Sequence, residues 1–129
     1  MEIKAISRYL RISPKKTRLV ADVIRGLEVT QAENQLRFIP RKASQFIIKT
    51  LHSAIANAEH NFGLKKENLY IKKIVVNEGP AIKRWMPKAF GRATPIRKRS
   101  SHIEIILDEI KPEKAKKKIA EIETRKAAA

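Results

Sequence analysis

The chain has no cysteine among its 129 residues, which excludes disulfides and thiolate metal sites. Acid is scarce: 13 Asp and Glu stand against 29 Lys and Arg, a formal net charge of +16. A compact chain with such an excess repels itself and favours a polyanionic partner, nucleic acid ahead of an acidic membrane or protein. Glycine occurs at only four scattered positions, Gly26, Gly63, Gly79 and Gly91, so no Gly-rich phosphate loop is present. Long apolar runs are missing too. No window approaches ~18 apolar residues, and the opening MEIKAISRYL lacks a signal-peptide core, which reads as a soluble intracellular protein with no membrane partner. Catalytic constellations are equally absent. Ser100, Ser101 and His102 have no evident acid partner and read as a strand boundary. His52 and His60, about 12 Å apart along one helix, are too distant to share a metal. The reading is therefore no catalytic residue, no metal site and no cofactor: not an enzyme.

What is present suffices for one modest core, since 43% of the residues are hydrophobic. Glu2 to Leu10 alternates roughly, with Ile3, Ala5 and Tyr9 on one side, and predicts a strand. SPKKTRLVADVIRG predicts a helix with Ser13 as cap, Pro14 in the first turn and Gly26 at its end. Its apolar stripe is Val20, Val23, Ile24 and Leu27, leaving Lys15, Lys16 and Arg18 outside. TQAE, Thr30 to Glu33, reads as a capping box opening a second helix that Pro40 terminates. A long helix from about Arg41 to Phe62 buries Ile47, Leu51, Ala54, Ile55, Ala58 and Phe62 and stops at Gly63. Leu69 to Asn77 and His102 to Ile110 are rich in strand formers. The result is an α+β domain: three helices packed on a small antiparallel sheet. Residues 1–110 form this single domain, and 111–129 a charged extension, partly helical, with too few apolar residues for a core.

Between the last two strands lies GPAIKRWMPKAFGRATPIRKRSS, residues 79–101, with seven Lys or Arg, no acid, and Trp85, Met86 and Phe90 interleaved. Buried charges need partners, and none are nearby in sequence, so a core strand is excluded. A disordered tail would lack the large apolar residues. Both strands instead continue outward as a long protruding β-hairpin arm, reaching ~35 Å at about 3.3 Å per residue. Its cations suit phosphates, and Trp85 and Phe90 can stack on or pack against bases. If all seven cations contacted phosphates, the salt slope of log affinity would be about −5 to −6.

KRWMPKAFGRATPIRKRSSHI, SPKKTRLVADVIRG and AIANAEHN together closely resemble the ribosomal large-subunit protein L twenty-two family, bacterial type, over about Glu2 to Glu109. The resemblance implies a structural, rRNA-binding protein of the cytoplasmic ribosome, present as a monomer within it. Its partners would be large-subunit rRNA, neighbouring large-subunit ribosomal proteins and the nascent polypeptide at the tunnel constriction. In the family the domain sits near the tunnel exit, and the hairpin threads inward to help line the narrow part, where changes are associated with macrolide resistance. Carried over, Arg8, Arg11, Lys15, Lys16 and Arg18 would contact rRNA from the domain, and Lys83, Arg84, Lys88, Arg92, Arg97, Lys98 and Arg99 along the arm. The tunnel-lining tip would be Arg84, Trp85, Met86, Pro87, Lys88, Ala89, Phe90 and Gly91. Lys88 stands where the family often has Arg, which weakens a bidentate contact there. The alternative that composition permits is a DNA-binding architectural protein with a basic β-arm, entering the minor groove with a proline wedge.

Overall fold

A computed structural model describes residues 2–110 and 112–127, the side chains of 112–119 excepted. The strands are β1 (Ile3–Leu10), β2 (Leu69–Glu78), β3 (Ile82–Pro87), β4 (Ala93–Lys98) and β5 (Ser101–Glu109). The helices are α1 (Pro14–Ile24), α2 (Val29–Phe38), α3 (Lys42–Phe62) and α4 (Pro112–Ala127). Two antiparallel sheets result: β1-β5-β2 in the domain and the ribbon β3-β4. The fold is α+β, and the tail reserved as a charged extension carries a fourth helix whose residues 120–127 are exposed.

Helix α3 packs across β1 and β5, α1 lies on β2, and α2 leans on α3. Between helices and sheet, Ile24, Ile47, Leu51, Ile74, Ile103, Ile105 and Leu107 are almost fully buried. Each such side chain contributes about 1.5–3 kcal/mol by leaving water. The helix stops form as the sequence predicts: Gly63 adopts φ 64° after Phe62, and Gly26 adopts φ 78° just beyond α1. Left-handed backbone at both positions suits a residue without Cβ.

Several local expectations are corrected. Helix α2 begins at Val29 with Glu28 as its N-cap, so Thr30 sits inside the helix and forms no capping box. Glu33 is buried and bonded elsewhere. Ser13 precedes α1, but its side chain makes no cap bond. In α1 the buried stripe is Thr17, Val20, Ala21 and Ile24, while Val23 is half exposed. The last turn of α3 leaves Phe62 partly exposed. Tyr9, read as sharing one side of the strand with Ile3 and Ala5, is instead exposed for a topological reason. Ser7 pairs with Ile103 and Leu10 with Ser101, so two residues of β1 oppose one of β5. That bulge breaks the alternation at Arg8 and Tyr9. A second register shift, between Ile71 and Lys73, keeps both Ile71 and Ile74 on the core side although they are three apart.

Both outer edges of the domain sheet are occupied. Arg18 donates to the Val76 carbonyl at 3.1 and 3.3 Å, and Arg25 to that of Ile74 at 3.1 Å, along β2. On β1, Asn57 Nδ2 donates to the Lys4 carbonyl at 3.2 Å. Covered carbonyls blunt the tendency of an open edge to recruit another strand.

Candidate nucleic-acid interface

The arm grows directly from the sheet. Gly79 N–H donates to the Ser100 carbonyl at 2.9 Å, and Ser100 Oγ donates to the Pro80 carbonyl at 2.7 Å. A Cβ on Gly79 would lie 2.4 Å from Ser100 Oγ and 3.2 Å from the His102 ring, so a side chain there would push the Ser100 hydroxyl off the Pro80 carbonyl. Arg99 donates to Glu78 at 2.8 Å at the same level. Ser101 Oγ donates to the Ile12 carbonyl at 2.6 Å, and His102 Nδ1 accepts from Tyr9 N–H at 3.0 Å. The Ser-Ser-His run is therefore a structural clasp between the arm, β1 and the loop after it.

Beyond the root, Lys83 pairs with Arg97, Trp85 with Pro95 and Pro87 with Ala93. Directly opposed residues of an antiparallel pair share a face, and successive pairs alternate. The other face therefore carries Ile82 with Lys98, Arg84 with Ile96, and Met86 with Thr94. Each face is thus a strip of two cations and apolar surface, and Trp85 remains 68% exposed. Opposed Lys83 and Arg97 destabilise an isolated ribbon by a few tenths of a kcal/mol to about 1 kcal/mol. An anion between or over them reverses that sign.

At the tip, Lys88 N–H donates to the Arg92 carbonyl at 2.7 Å, closing a loop that Lys88 and Arg92 flank. Phe90 and Gly91 both take left-handed backbone, at φ 60° and 67°. For a bulky residue such as Phe that conformation costs about 1–2 kcal/mol. The Phe90 ring is 99% exposed, so no burial within the chain offsets the cost.

The domain cations divide into two groups. Arg18 is engaged with the β2 edge, and Lys15 is exposed on α1. Arg8 borders a small hollow with Tyr9, Asn77, His102 and Glu104. Arg11 and Lys16, by contrast, meet Lys98 and Arg99 of the arm in a groove of about 600 Å³ at its root. Two further members of that groove, Tyr9 and Lys42, were not singled out from sequence. The bulge that exposes Tyr9 has no local sequence signature. Lys42 is one basic residue among many until the fold sets the start of α3 beside the start of α1.

A different cluster lies on α2, α3 and the turn before β2. The buried Glu33 carboxylate accepts from Lys66, from Arg37 at 3.2 Å and bonds His52 at 2.7 Å. The Lys66 hydrogen bond, with help from His52, holds the Glu33 carboxyl below its ordinary pKa against the upward pull of burial. This cluster is structural glue. Among the described residues no group of three or more metal-ligating side chains is assembled, and no helix is long and apolar enough to cross a membrane.

Residues 5–108 match the sequence model of the family described as ribosomal protein L22p/L17e. The chain is similar to the large ribosomal subunit protein uL22 of Syntrophobacter fumaroxidans, 54% identical over 109 residues that cover 84% of this chain and 99% of that protein. It is 54% identical over 109 residues to the protein of the same name from Thermoanaerobacter sp., covering 84% and 98% of the two chains. Against the uL22 protein of Chloroflexus aggregans the identity is 52% over 107 residues, covering 83% and 95%. The matched family span ends before α4 begins.

Proposed function

Because this chain belongs to the family of ribosomal protein L22p/L17e, we propose that it is a non-catalytic building block of the large ribosomal subunit, bound to large-subunit rRNA through its arm and the arm's root. The observation that carries the RNA contact is the pairing of Lys83 with Arg97 on an arm that contains no acid, beside an exposed Trp85. Such a ribbon is least stable alone and most stable between phosphates. Cations on both faces screen RNA helices that would otherwise repel, and counterion release supplies much of the affinity. Trp85, Met86 and Phe90 then find in RNA bases the apolar cover that their own chain withholds. The tip from Arg84 to Gly91 reaches the peptide tunnel, where the surface not covered by RNA meets the nascent chain. The domain supplies the anchorage, and residues 111–129 form an appendage to it.

Sucrose-gradient fractionation of lysate, before and after a high-salt wash, tests the reading. Near-stoichiometric retention on large subunits after the wash is expected of an embedded arm. Release by salt, or migration with chromosomal DNA, overturns it. Deleting Arg84 to Arg92 should leave the domain's cooperative unfolding transition by circular dichroism intact while weakening rRNA binding.

A further inference from the structure

The groove at the arm's root has a composition that the arm itself lacks. Its lining includes the apolar Ile12, Pro80 and Ile82. The lining also carries five cations, Arg11, Lys16, Lys42, Lys98 and Arg99, and no acid. Tyr9 forms one wall and is 67% exposed. The volume, about 600 Å³, falls within the range of about 300–1,000 Å³ of small-ligand sites.

The Tyr9 ring is held in place. Its backbone sits at φ 59°, a conformation unfavourable for a large side chain. The angle falls within the β-bulge, and His102 contacts both the backbone and the ring of Tyr9. Tyr9 N–H donates to His102 Nδ1, and the two rings meet edge to face at 5.0 Å between centroids. A solvent-facing aromatic held on a rigid sheet is a stacking platform that loses little freedom when a base lands on it. Charge arrangement identifies the rest of the ligand. Helices α1 and α3 both start beside the groove with no acid in the first turn and no side-chain cap, and place Lys16 and Lys42 there instead. Cations at helix starts oppose the helix dipole, so an anion in the groove relieves both helices at once. An exposed ring, apolar lining and cations without an acid together fit a nucleotide. A paired base offers its neighbours, not a free face, so the nucleotide must be unpaired.

We propose that this groove holds one unpaired ribonucleotide, with its base stacked on Tyr9 and its phosphate among Arg11, Lys16 and Lys42. The site rests on the RNA-binding reading above but is separate from the arm's own contacts. It fixes the register of the RNA at the point where the arm leaves the domain.

The test uses the full chain carrying Trp85→Ala and Phe90→Ala, so that arm rings do not compete. Binding is followed by fluorescence anisotropy on a labelled octamer of adenosine ribonucleotides and on a ribose-phosphate strand of the same length lacking bases. Adding Tyr9→Ala is expected to weaken octamer binding at least about fivefold and leave the base-free strand unchanged, whereas Tyr9→Phe preserves both. Lys16→Ala and Lys42→Ala should each lower the salt slope by about 0.7 on both strands. Tyr9→Gly, which tolerates the left-handed backbone, should keep a cooperative unfolding transition and still lose the base-dependent binding. Equal octamer affinities for the Tyr9→Ala and parent chains overturn the proposal, as does an equal loss on both strands. Failure of the wild-type chain to bind large-subunit rRNA at all overturns the RNA-binding reading itself.

Discussion

Glu33 joins three parts of the chain through one buried carboxylate: α2, where it resides, α3 through His52, and the turn before β2 through Lys66. Its folded pKa is lowered, chiefly by the Lys66 hydrogen bond. The unfolded chain therefore binds the proton more readily, and stability rises with pH across the interval between the two values. The contribution is fully present above the ordinary carboxylate value of 4.5 and is lost as pH falls through the lower folded value. Glu33→Gln should thus cost about 1–3 kcal/mol at neutral pH, because Lys66 and His52 keep their polar groups without the charged acceptor. It should also flatten the acid limb of a plot of unfolding free energy against pH. A variant with an unchanged acid limb would remove Glu33 from this role. The same residue marks how far local sequence carries. TQAE has the letters of a capping box, yet the acceptor went to partners 19 and 33 residues away. Only tertiary packing brings those partners within reach.

The arm belongs to the element scale, where sequence was most informative. Seven cations with no acid, interleaved with Trp85 and Phe90, leave a projecting ribbon as the physically tolerable solution, and the strands on either side continue into it. The two glycine stops and the buried face of α3 were legible for the same reason: each depends on residues adjacent in sequence or spaced at one helical period. The groove was half legible. Arg11, Lys16, Lys98 and Arg99 stood out as basic, whereas Tyr9 needed a bulge set by the register of β1 against β5. A prediction with two opposite signs follows from the Lys83–Arg97 pair. Lys83→Glu creates an attractive cross-strand pair, so amide hydrogen exchange in β3 and β4 should slow in the free protein. On the proposed function the same change replaces a phosphate contact with a repulsion, so rRNA affinity should fall and the salt slope shrink by about 1. Slower exchange with unaltered rRNA binding would move the arm's RNA contact elsewhere.

For the molecule as a whole, 29 cations against 13 acids set two salt effects in competition. Screening weakens attractive pairs such as Lys72–Glu2 and Arg99–Glu78, and it also weakens repulsion among the excess cations. Exposed pairs are worth roughly 0–1 kcal/mol each, and only a few are formed among the described residues. Repulsion at a net charge of +16 dominates. The isolated protein should therefore melt at higher temperature as sodium chloride rises from about 0.01 M to 1 M, a range over which the Debye length contracts from about 30 Å to 3 Å. Scanning calorimetry reads this directly, and a falling melting temperature would mean that attractive pairs prevail.

The central position of β5 has a mechanical consequence. It is laddered to β1 on one side and β2 on the other, and the arm's two strands prolong β2 and β5. A pull along the arm draws β2 and β5 the same way, so the load falls lengthwise, in shear, on the β1–β5 ladder, whose hydrogen bonds resist together instead of opening one by one. The clasp of Ser101 on Ile12 and His102 on Tyr9 spreads the load to the chain's first strand. The arm is fastened like a tie-rod, and drawing it out requires the domain to yield as one piece.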